Sequence, residues 1–216
     1  MGTQTAASQS TRMISLGFDA EPWPAGTHMC MIFNDDKERR GVIARFLESG
    51  LEGDELVRYL VDTQTPEELK QSIRDEGVNL PDELDGKQYV ILNADATYCP
   101  DGTFKADRML DVITERYRQS IREGYVGARA TAEMTWSTRG HPGSENLVEY
   151  EARGNIMVRT APTTLLCQYD ARAFDGATLY GILCVHPAMI VHGQVLRNPY
   201  YVEPEAFLAK RAPRSS

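Results

Sequence analysis

Apolar and polar residues alternate in the stretch from Gly127 to Trp136. Every even-numbered position holds alanine, methionine or tryptophan, and every odd-numbered position after Gly127 holds a polar residue. Because successive side chains of an extended strand point to opposite faces, this pattern predicts a strand with one polar and one apolar face. Glycines before the stretch and a Gly/Pro-rich segment after it mark its ends. We therefore predict an interior strand that brings Glu133, Thr135 and Trp136 to a site near its carboxyl end, where open α/β sheets bind ligands.

Strand and helix patterns alternate along the rest of the chain. Short apolar runs predict strands at 28–33, 55–61, 88–92, 163–169 and 188–192, and apolar residues at helical intervals predict helices at about 35–53, 65–77, 109–121, 147–158 and 177–185. A turn-rich loop is expected between residues 93 and 103. The alternation predicts an α/β fold of three layers, with a largely parallel sheet and helices on both of its faces.

The length of 216 residues suits one domain of above-average size. We predict a single domain over residues 21–210, between flexible tails at 1–20 and 211–216. Residues 1–12 in particular are rich in Ser, Thr, Gln and Ala and have no apolar period, so their removal is expected to leave the melting temperature unchanged within about a degree.

Composition narrows the classes of protein to consider. Hydrophobic residues make up 42% and charged residues 25%, which is typical of a globular chain. The net charge of −8 disfavours direct binding to nucleic acid. No apolar run approaches the roughly 20 residues of a membrane span, and no export leader is visible. The four cysteines lack the spacing of paired or metal-binding motifs. We expect a cytoplasmic protein with reduced thiols and no membrane association.

Polar and aromatic residues follow several predicted strands, and the ends of parallel strands meet at one edge of the sheet. The predicted ligand-binding residues are Asn34, Tyr98, Glu133, Thr135, Trp136, Gln168, Tyr169 and Asp170. In this hypothesis Glu133 is the polar anchor, the aromatic residues form a wall, and the loop at 93–103 is a mobile cover. The alternative is that these side chains only cap helices and anchor loops.

A buried Glu133 needs a partner of opposite charge. Arg129 lies on the same predicted strand face, but four residues away and therefore roughly 13 Å along the strand. We therefore predict a structural ion pair between Glu133 and Arg153, on the helix at 147–158.

Familiar catalytic and metal-binding patterns are not found. The first strand-to-helix turn, residues 34–39, has no glycine and two adjacent acids, so it does not suit a triphosphate. The sequence has no G-x-S-x-G elbow and no HExxH motif. His28 and Cys30 would share a strand face and could hold a metal, but a core thiol beside a strand-edge imidazole is the commoner case. We predict no catalytic residue, no metal and no cofactor.

Seven short blocks in order resemble one family: HMCMIFN (28–34), YCPDGTF (98–104), EMTW (133–136), YEARGN (150–155), CQYD (167–170), HP (186–187) and NPYY (198–201). The chain resembles the MEDS domain (methanogen/methylotroph, dichloromethane-regulator-type sensory domain) from about residue 26 to 207. The resemblance implies a sensory or regulatory module with a RecA/KaiC-like core, here with a degenerate phosphate loop. Such modules are often attached to DNA-binding, anti-sigma-factor or histidine-kinase parts.

The expected function is that of a non-enzymatic sensor. It would bind a small organic molecule and signal through a protein partner, either a kinase, an anti-sigma factor or a transcription regulator, and a homo-oligomer is left open. One alternative is a RecA-like nucleotide-binding protein or ATPase remnant, with Glu133 as its catalytic or metal-binding acid. A second alternative is an interaction scaffold that has no ligand.

Overall fold

Seven strands form one sheet in the computed structural model, which describes residues 12–80 and 88–211. The strands are β3 (His28–Phe33), β4 (Glu55–Val61), β5 (Tyr89–Asn93), β6 (Gly127–Glu133), β7 (Thr164–Asp170), β8 (Ala188–Val191) and β9 (Gln194–Arg197), and a separate pair is formed by β1 (Met13–Ile14) and β2 (Trp23–Pro24). Their order across the sheet is β5-β4-β6-β7-β3-β8-β9. All neighbours are parallel except β8 and β9, which are antiparallel.

Helices cover both faces of this sheet. They are α1 (Asp36–Glu52), α2 (Pro66–Asp75), α3 (Ala94–Tyr98), α4 (Ala106–Arg122), α5 (Leu147–Met157), α6 (Gly176–Val185) and α7 (Pro204–Arg211). Side chains of α1 and α2 pack on one face, which we call the α1 face. Side chains of α3 to α6 pack on the other, which we call the α5 face. The predicted three-layer, largely parallel α/β fold is confirmed.

Local signals in the sequence account for several helix starts. The Asp35 carboxylate caps α1 by accepting hydrogen bonds from the backbone N–H groups of Lys37 and Glu38. Thr65 and Glu68 form a reciprocal capping box at the start of α2. The predicted strands at 28–33 and 55–61 coincide with β3 and β4.

Two predictions around the carboxyl edge are wrong. β6 ends at Glu133, and Met134–Arg139 forms a 3₁₀ helix, so Thr135 and Trp136 do not continue the strand. The expected loop at 93–103 begins with α3, whose first turn is capped by the Asn93 side chain. An α-helix of five residues or a 3₁₀ helix of six spans no more than about two turns, and it leaves no periodic pattern to detect.

The boundary of the predicted N-terminal tail also needs correction. Ile14 pairs with Trp23 in the β1–β2 ribbon, and the side chains of Ile14 and Leu16 are buried in the core of the α1 face. The Ser15 carbonyl accepts hydrogen bonds from Ser49 and Arg129. The ordered domain therefore begins before residue 21. Residues 1–11 and 212–216, where the rest of the predicted tails falls, lie outside the described residues.

A buried ion pair closes the amino end of the sheet. Arg129 of β6 pairs with Glu55 of β4, and both side chains are almost fully buried. Gly50 of α1 makes room for this arginine, because a Cβ at that position would lie 2.5 Å from the Arg129 Cδ. Arg129 thus belongs to the opposite end of β6 from Glu133, as its spacing predicts.

Candidate functional site

Glu133 ends β6 on the α1 face, where five donors converge on its carboxylate. Oε1 accepts hydrogen bonds from Arg39 Nη1 at 3.1 Å and from the Tyr59 hydroxyl at 2.8 Å. Oε2 accepts from the backbone N–H groups of Asp62 and Thr63 at 3.0 and 2.7 Å, and from the Thr63 hydroxyl at 2.7 Å. The side chain is 2% exposed. Its acceptor capacity is used inside the protein.

These contacts stabilise the negatively charged form of Glu133. Burial alone would raise the pKa of Glu133, but attraction to Arg39 and hydrogen bonds from Thr63 and Tyr59 outweigh it and keep that pKa below its usual range. The predicted ion pair with Arg153 is wrong, because Arg153 lies on α5 and pairs with Asp107 and Glu149 near the surface. The actual partner, Arg39, lies on α1. The expectation of a buried and paired Glu133 is confirmed.

The predicted site residues divide between the two faces of the sheet. Gln168 lies beside Glu133 on the α1 face and accepts a hydrogen bond from Arg39 Nη1 at 3.3 Å. Tyr98, Trp136 and Tyr169 belong to the core of the α5 face. The sheet therefore separates the proposed polar anchor from the proposed aromatic wall, and the two do not line one pocket.

Tyr98 and Trp136 meet each other in an aromatic cluster. Their rings stack with centroids 4.4 Å apart, and the rings of Phe104 and Tyr150 pack against this pair. Trp136 is fully buried, and its indole N–H has no hydrogen-bond partner within the described part of the chain. The cluster joins the 3₁₀ helix to α3 and α5.

The remaining predicted residues lie at the protein surface or close to it. Asn34 is exposed, and Thr135 and Asp170 are partly exposed. Asp170 accepts hydrogen bonds from the Arg172 backbone and guanidinium. At the turn where a phosphate loop would lie, the carboxylate of Asp35 already occupies the amino end of α1. That end of the helix is where an anion would otherwise bind.

An apolar cavity of about 270 Å³ lies on the α5 face, between the sheet and the helices α4 and α5. Its walls include Ala130 and Ala132 of β6, Met109 and Ile113 of α4, and Tyr150 and Met157 of α5. The small side chains of these β6 alanines help to leave this space open. Thr97 and Tyr98, from the segment expected to be a mobile cover, also line it.

Four polar side chains are buried beside this cavity: His28 of β3, Glu151 of α5, Cys167 of β7 and His186 at the end of α6. One ligand-type atom from each lies within 4.8 Å of those of the other three. Glu151 Oε2 is 3.1 Å from His28 Nε2 and 3.6 Å from His186 Nε2. Cys167 Sγ is 3.5 Å from His28 Nε2 and 3.7 Å from Glu151 Oε2. We call these four residues the buried quartet.

Burial sets the protonation preferences of the quartet. It lowers the pKa of His186 to about 3, with help from the neighbouring His28, so the His186 ring is neutral. Burial and then the charge of Glu151 raise the pKa of Cys167 well above its usual range. Burial alone would raise the pKa of Glu151, but the hydrogen bond from His28 and the nearby His186 keep it below the usual value.

As a possible metal-binding pair, sequence reasoning considered only His28 and Cys30. Cys30 does lie on the same face as His28, but its Sγ faces the Ala188 carbonyl at 3.9 Å. Cys167 is the cross-strand neighbour of Cys30 and takes the place beside His28. His186 lies at the end of α6, 158 residues after His28 in the sequence. No local spacing could reveal this contact.

The fold is RecA/KaiC-like, as comparison with solved structures shows. The KaiC-like protein PH0186 from Pyrococcus horikoshii OT3 matches with a TM-score of 0.58 and 14% identity, over 83% of this chain and 80% of that one. The flagellar accessory protein FlaH from Methanocaldococcus jannaschii matches with a TM-score of 0.60 and 13% identity, over 84% of this chain and 80% of that one. Identities this low establish the fold alone.

The family is established by sequence. The model described as MEDS, "MEthanogen/methylotroph, DcmR Sensory domain", matches residues 27–187. The chain belongs to the MEDS family, as the resemblance predicts. Comparison with curated proteins gives no match. Among the helices of the described ranges 12–80 and 88–211, none has the length and apolarity needed to cross a membrane.

Proposed function

We propose that this protein is a non-enzymatic sensory domain, which binds a small, mainly apolar organic molecule in the cavity between β6, α4 and α5. Binding changes the contacts of the domain with a signalling partner, which we expect to be a kinase, an anti-sigma factor or a transcription regulator. Membership of a family of sensory domains supports the role. The observation that carries the proposal is the apolar cavity itself.

The dimensions and lining of the cavity suit a C1 or short-chain organic compound. Its volume of about 270 Å³ lies near the lower limit for small-molecule sites, and apolar cavities of this kind take up apolar guests. The helix α4 supplies one wall but buries few of its own side chains, Met109 and Ser120 being the buried ones. A helix attached this lightly can adjust when the cavity fills, which gives a ligand a way to alter the outer surface.

The proposed ligand site lies on the opposite face of the sheet from Glu133, which was the anchor expected from the sequence. The Glu133 carboxylate is already bonded by five donors, so a ligand at that position would have to displace protein contacts. The same network argues against Glu133 as a free acid in an ATPase remnant. The carboxylate of Asp35 at the start of α1 argues in the same direction, because it repels a phosphate.

The alternative of a nucleotide-binding protein follows from the RecA/KaiC-like fold. A titration of the protein with a fluorescent ATP analogue and Mg²⁺ tests it. We expect no saturable binding at micromolar nucleotide, and saturation in that range would favour the ATPase remnant over the sensor.

A thermal unfolding series with C1 halides, C1 alcohols and short-chain alcohols tests the sensor proposal. A ligand present at 100 times its Kd stabilises a protein by about 2.7 kcal/mol, which raises the melting temperature of a chain of this size by about 5–10 °C. The Ala130→Leu variant places an isobutyl group in the cavity. It is expected to remain folded and to lose this stabilisation.

Ala177→Leu is the matched control, because Ala177 is an exposed residue of α6 away from the cavity. This variant should respond to the ligand like the unmodified protein. If no compound stabilises the protein, or if Ala130→Leu responds as strongly as Ala177→Leu, the proposal is wrong. In the first case the scaffold without a ligand becomes the better account.

A further inference from the structure

Two histidines of the buried quartet direct their Nε2 atoms at the same place. His186 Nδ1 faces the Ile182 carbonyl at 2.8 Å and must donate its proton there, so Nε2 of the neutral ring carries a lone pair. This Nε2 is fully buried and has no hydrogen-bond partner among residues 12–80 and 88–211. A buried polar atom without a partner costs free energy, so something outside the protein's own hydrogen bonds is expected to satisfy it.

His28 has the same arrangement. Its Nδ1 is 3.1 Å from the Asn155 side-chain oxygen, and the Asn155 amide nitrogen donates to the Val185 carbonyl at 2.6 Å. The amide is therefore oriented with its oxygen towards the ring, and His28 Nδ1 is the donor. His28 Nε2 lies 3.1 Å from Glu151 Oε2 and donates a hydrogen bond to it when it carries a proton. A cation that displaces this proton would be held by one lone pair from each ring and by the carboxylate.

Four of the six distances between ligand atoms of the quartet match those of a tetrahedral site. With the usual zinc bonds to nitrogen, oxygen and sulfur, tetrahedral geometry separates nitrogen from oxygen by about 3.4 Å, and sulfur from either by about 3.6 Å. The two nitrogen–oxygen distances, from His28 and His186 to Glu151, are 3.1 and 3.6 Å. Cys167 Sγ is 3.5 Å from nitrogen and 3.7 Å from oxygen. All four measured separations lie within about 0.3 Å of these values.

We propose that the buried quartet binds one zinc ion, through His28 Nε2, Glu151 Oε2, Cys167 Sγ and His186 Nε2. Two imidazoles, a thiolate and a carboxylate form a ligand set that zinc accepts, and a tetrahedral site with a thiolate favours zinc over magnesium or calcium. The thiol of Cys167 loses its proton to solvent on binding, and the charge of the ion stabilises the resulting thiolate. This proposal differs from the expectation of no metal that was drawn from the sequence.

The outer contacts of the quartet match those of a metal centre. His28 donates to Asn155 and His186 donates to a backbone carbonyl, which fixes the orientation of both rings. Glu151 Oε1 accepts a hydrogen bond from the Tyr169 hydroxyl at 2.7 Å, which leaves Oε2 for the ion. Because His28, Glu151 and Cys167 also line the cavity, the ion can enter from that side. The site does not depend on whether the cavity takes an organic ligand.

Titration with metal ions tests the zinc site. Metal-free protein is prepared with a chelator and titrated with Zn²⁺ and, separately, with Co²⁺. The absorption spectrum of bound Co²⁺ shows whether a thiolate is a ligand and whether the geometry is tetrahedral. We expect one ion per chain, a sulfur-to-cobalt charge-transfer band and a higher melting temperature with zinc. Cys167→Ser is expected to lose the band and to weaken zinc binding at least about 10-fold. Asn155→Ala should keep the band and weaken binding about 10–100-fold.

Cys30→Ser is the matched control, because Cys30 is also buried and lies directly across from Cys167 on the neighbouring strand. It should bind both ions like the unmodified protein. Absence of zinc binding by the unmodified protein at micromolar zinc overturns the proposal, whether or not any variant folds. A cobalt band that survives in Cys167→Ser, or that depends on Cys30 instead, also overturns it. The proposed organic ligand is judged separately, by the Ala130→Leu series.

Discussion

Glu133→Gln is the substitution whose effect follows most directly from the structure. It preserves the shape of the side chain but removes the negative charge, and it replaces one acceptor oxygen with an NH₂ donor. All five groups that contact the carboxylate are hydrogen-bond donors, and they come from Arg39, Tyr59, Asp62 and Thr63. In either orientation of the amide, its NH₂ group must face at least one N–H donor that loses its acceptor, either that of Arg39 or those of the Asp62 and Thr63 backbone.

The expected loss is large because the Arg39 guanidinium is buried and would keep its charge with only the Asp36 carboxylate, 3.9 Å from its Nε, beside it. Arg39 is 9% exposed in its side chain, and Glu133 is 2% exposed. Breaking a buried pair by removing one partner costs about 3–5 kcal/mol. For a chain of this length, that loss lowers the melting temperature by about 6–20 °C.

Urea unfolding followed by circular dichroism measures this effect. Glu149→Gln is the matched control, because Glu149 forms an ion pair with Arg153 that is 3.8 Å long and partly exposed. That substitution should cost no more than about 0.5 kcal/mol. The account of the Glu133 network is refuted if Glu133→Gln costs less than about 1 kcal/mol, or if the two variants are equally stable.

Two further outcomes can be measured on the same protein. The first concerns pH, because the pKa of Glu133 is lower in the folded protein than in the unfolded chain. The contribution of Glu133 to stability is complete above the unfolded pKa of about 4.3, and it is lost as the pH falls through the lower folded pKa. Urea midpoints measured from pH 6 to pH 3 should therefore fall less steeply for Glu133→Gln than for the unmodified protein. Gly143→Ala should cost more than about 2 kcal/mol in urea unfolding, because its φ of 91° is left-handed and a Cβ would lie 2.1 Å from the Phe104 carbonyl oxygen. Gly140→Ala should cost only about 1–2 kcal/mol, since its φ of 74° is similar but its Cβ would meet no atom of the described residues within 4 Å. Equal losses would contradict the steric argument.

The parts of the fold that the sequence predicts are those with long, regular patterns. The limits of β3 and β4 follow from compact apolar runs, and the start of α2 follows from its capping box. The short elements escaped prediction, among them α3 and the 3₁₀ helix after Glu133, because a few residues carry no period. The fold class therefore followed from the pattern, whereas the details of the carboxyl edge did not.

The partner of Glu133 could not be chosen from the sequence. The chain has several arginines on predicted helices, and the choice of Arg153 assumed that α5 covers the polar face of β6. In the structure α1 covers that face and supplies Arg39. Which helix packs on which face depends on the order of the strands, and the order of the strands is a property of the whole fold.

The members of the buried quartet lie in sequence blocks that carry the family resemblance, but their spacing along the chain does not indicate that they are in contact. Four of the seven blocks that carry the family resemblance each contain one of its members: His28, Glu151, Cys167 and His186. Each is an unremarkable strand or helix residue in its own block. Only the packing of α5 and α6 against β3 and β7 brings their side chains together.

The central claim, a ligand cavity on the α5 face, is tested most directly by NMR of the methionine methyl groups. Met109 and Met157 line the cavity, whereas Met31 is buried on the α1 face of the same sheet. On titration with a small apolar probe such as dichloromethane, the account predicts saturable shifts of the Met109 and Met157 signals and an unchanged Met31 signal. Cavity methyl signals that do not move, or that move no more than that of Met31, would contradict it.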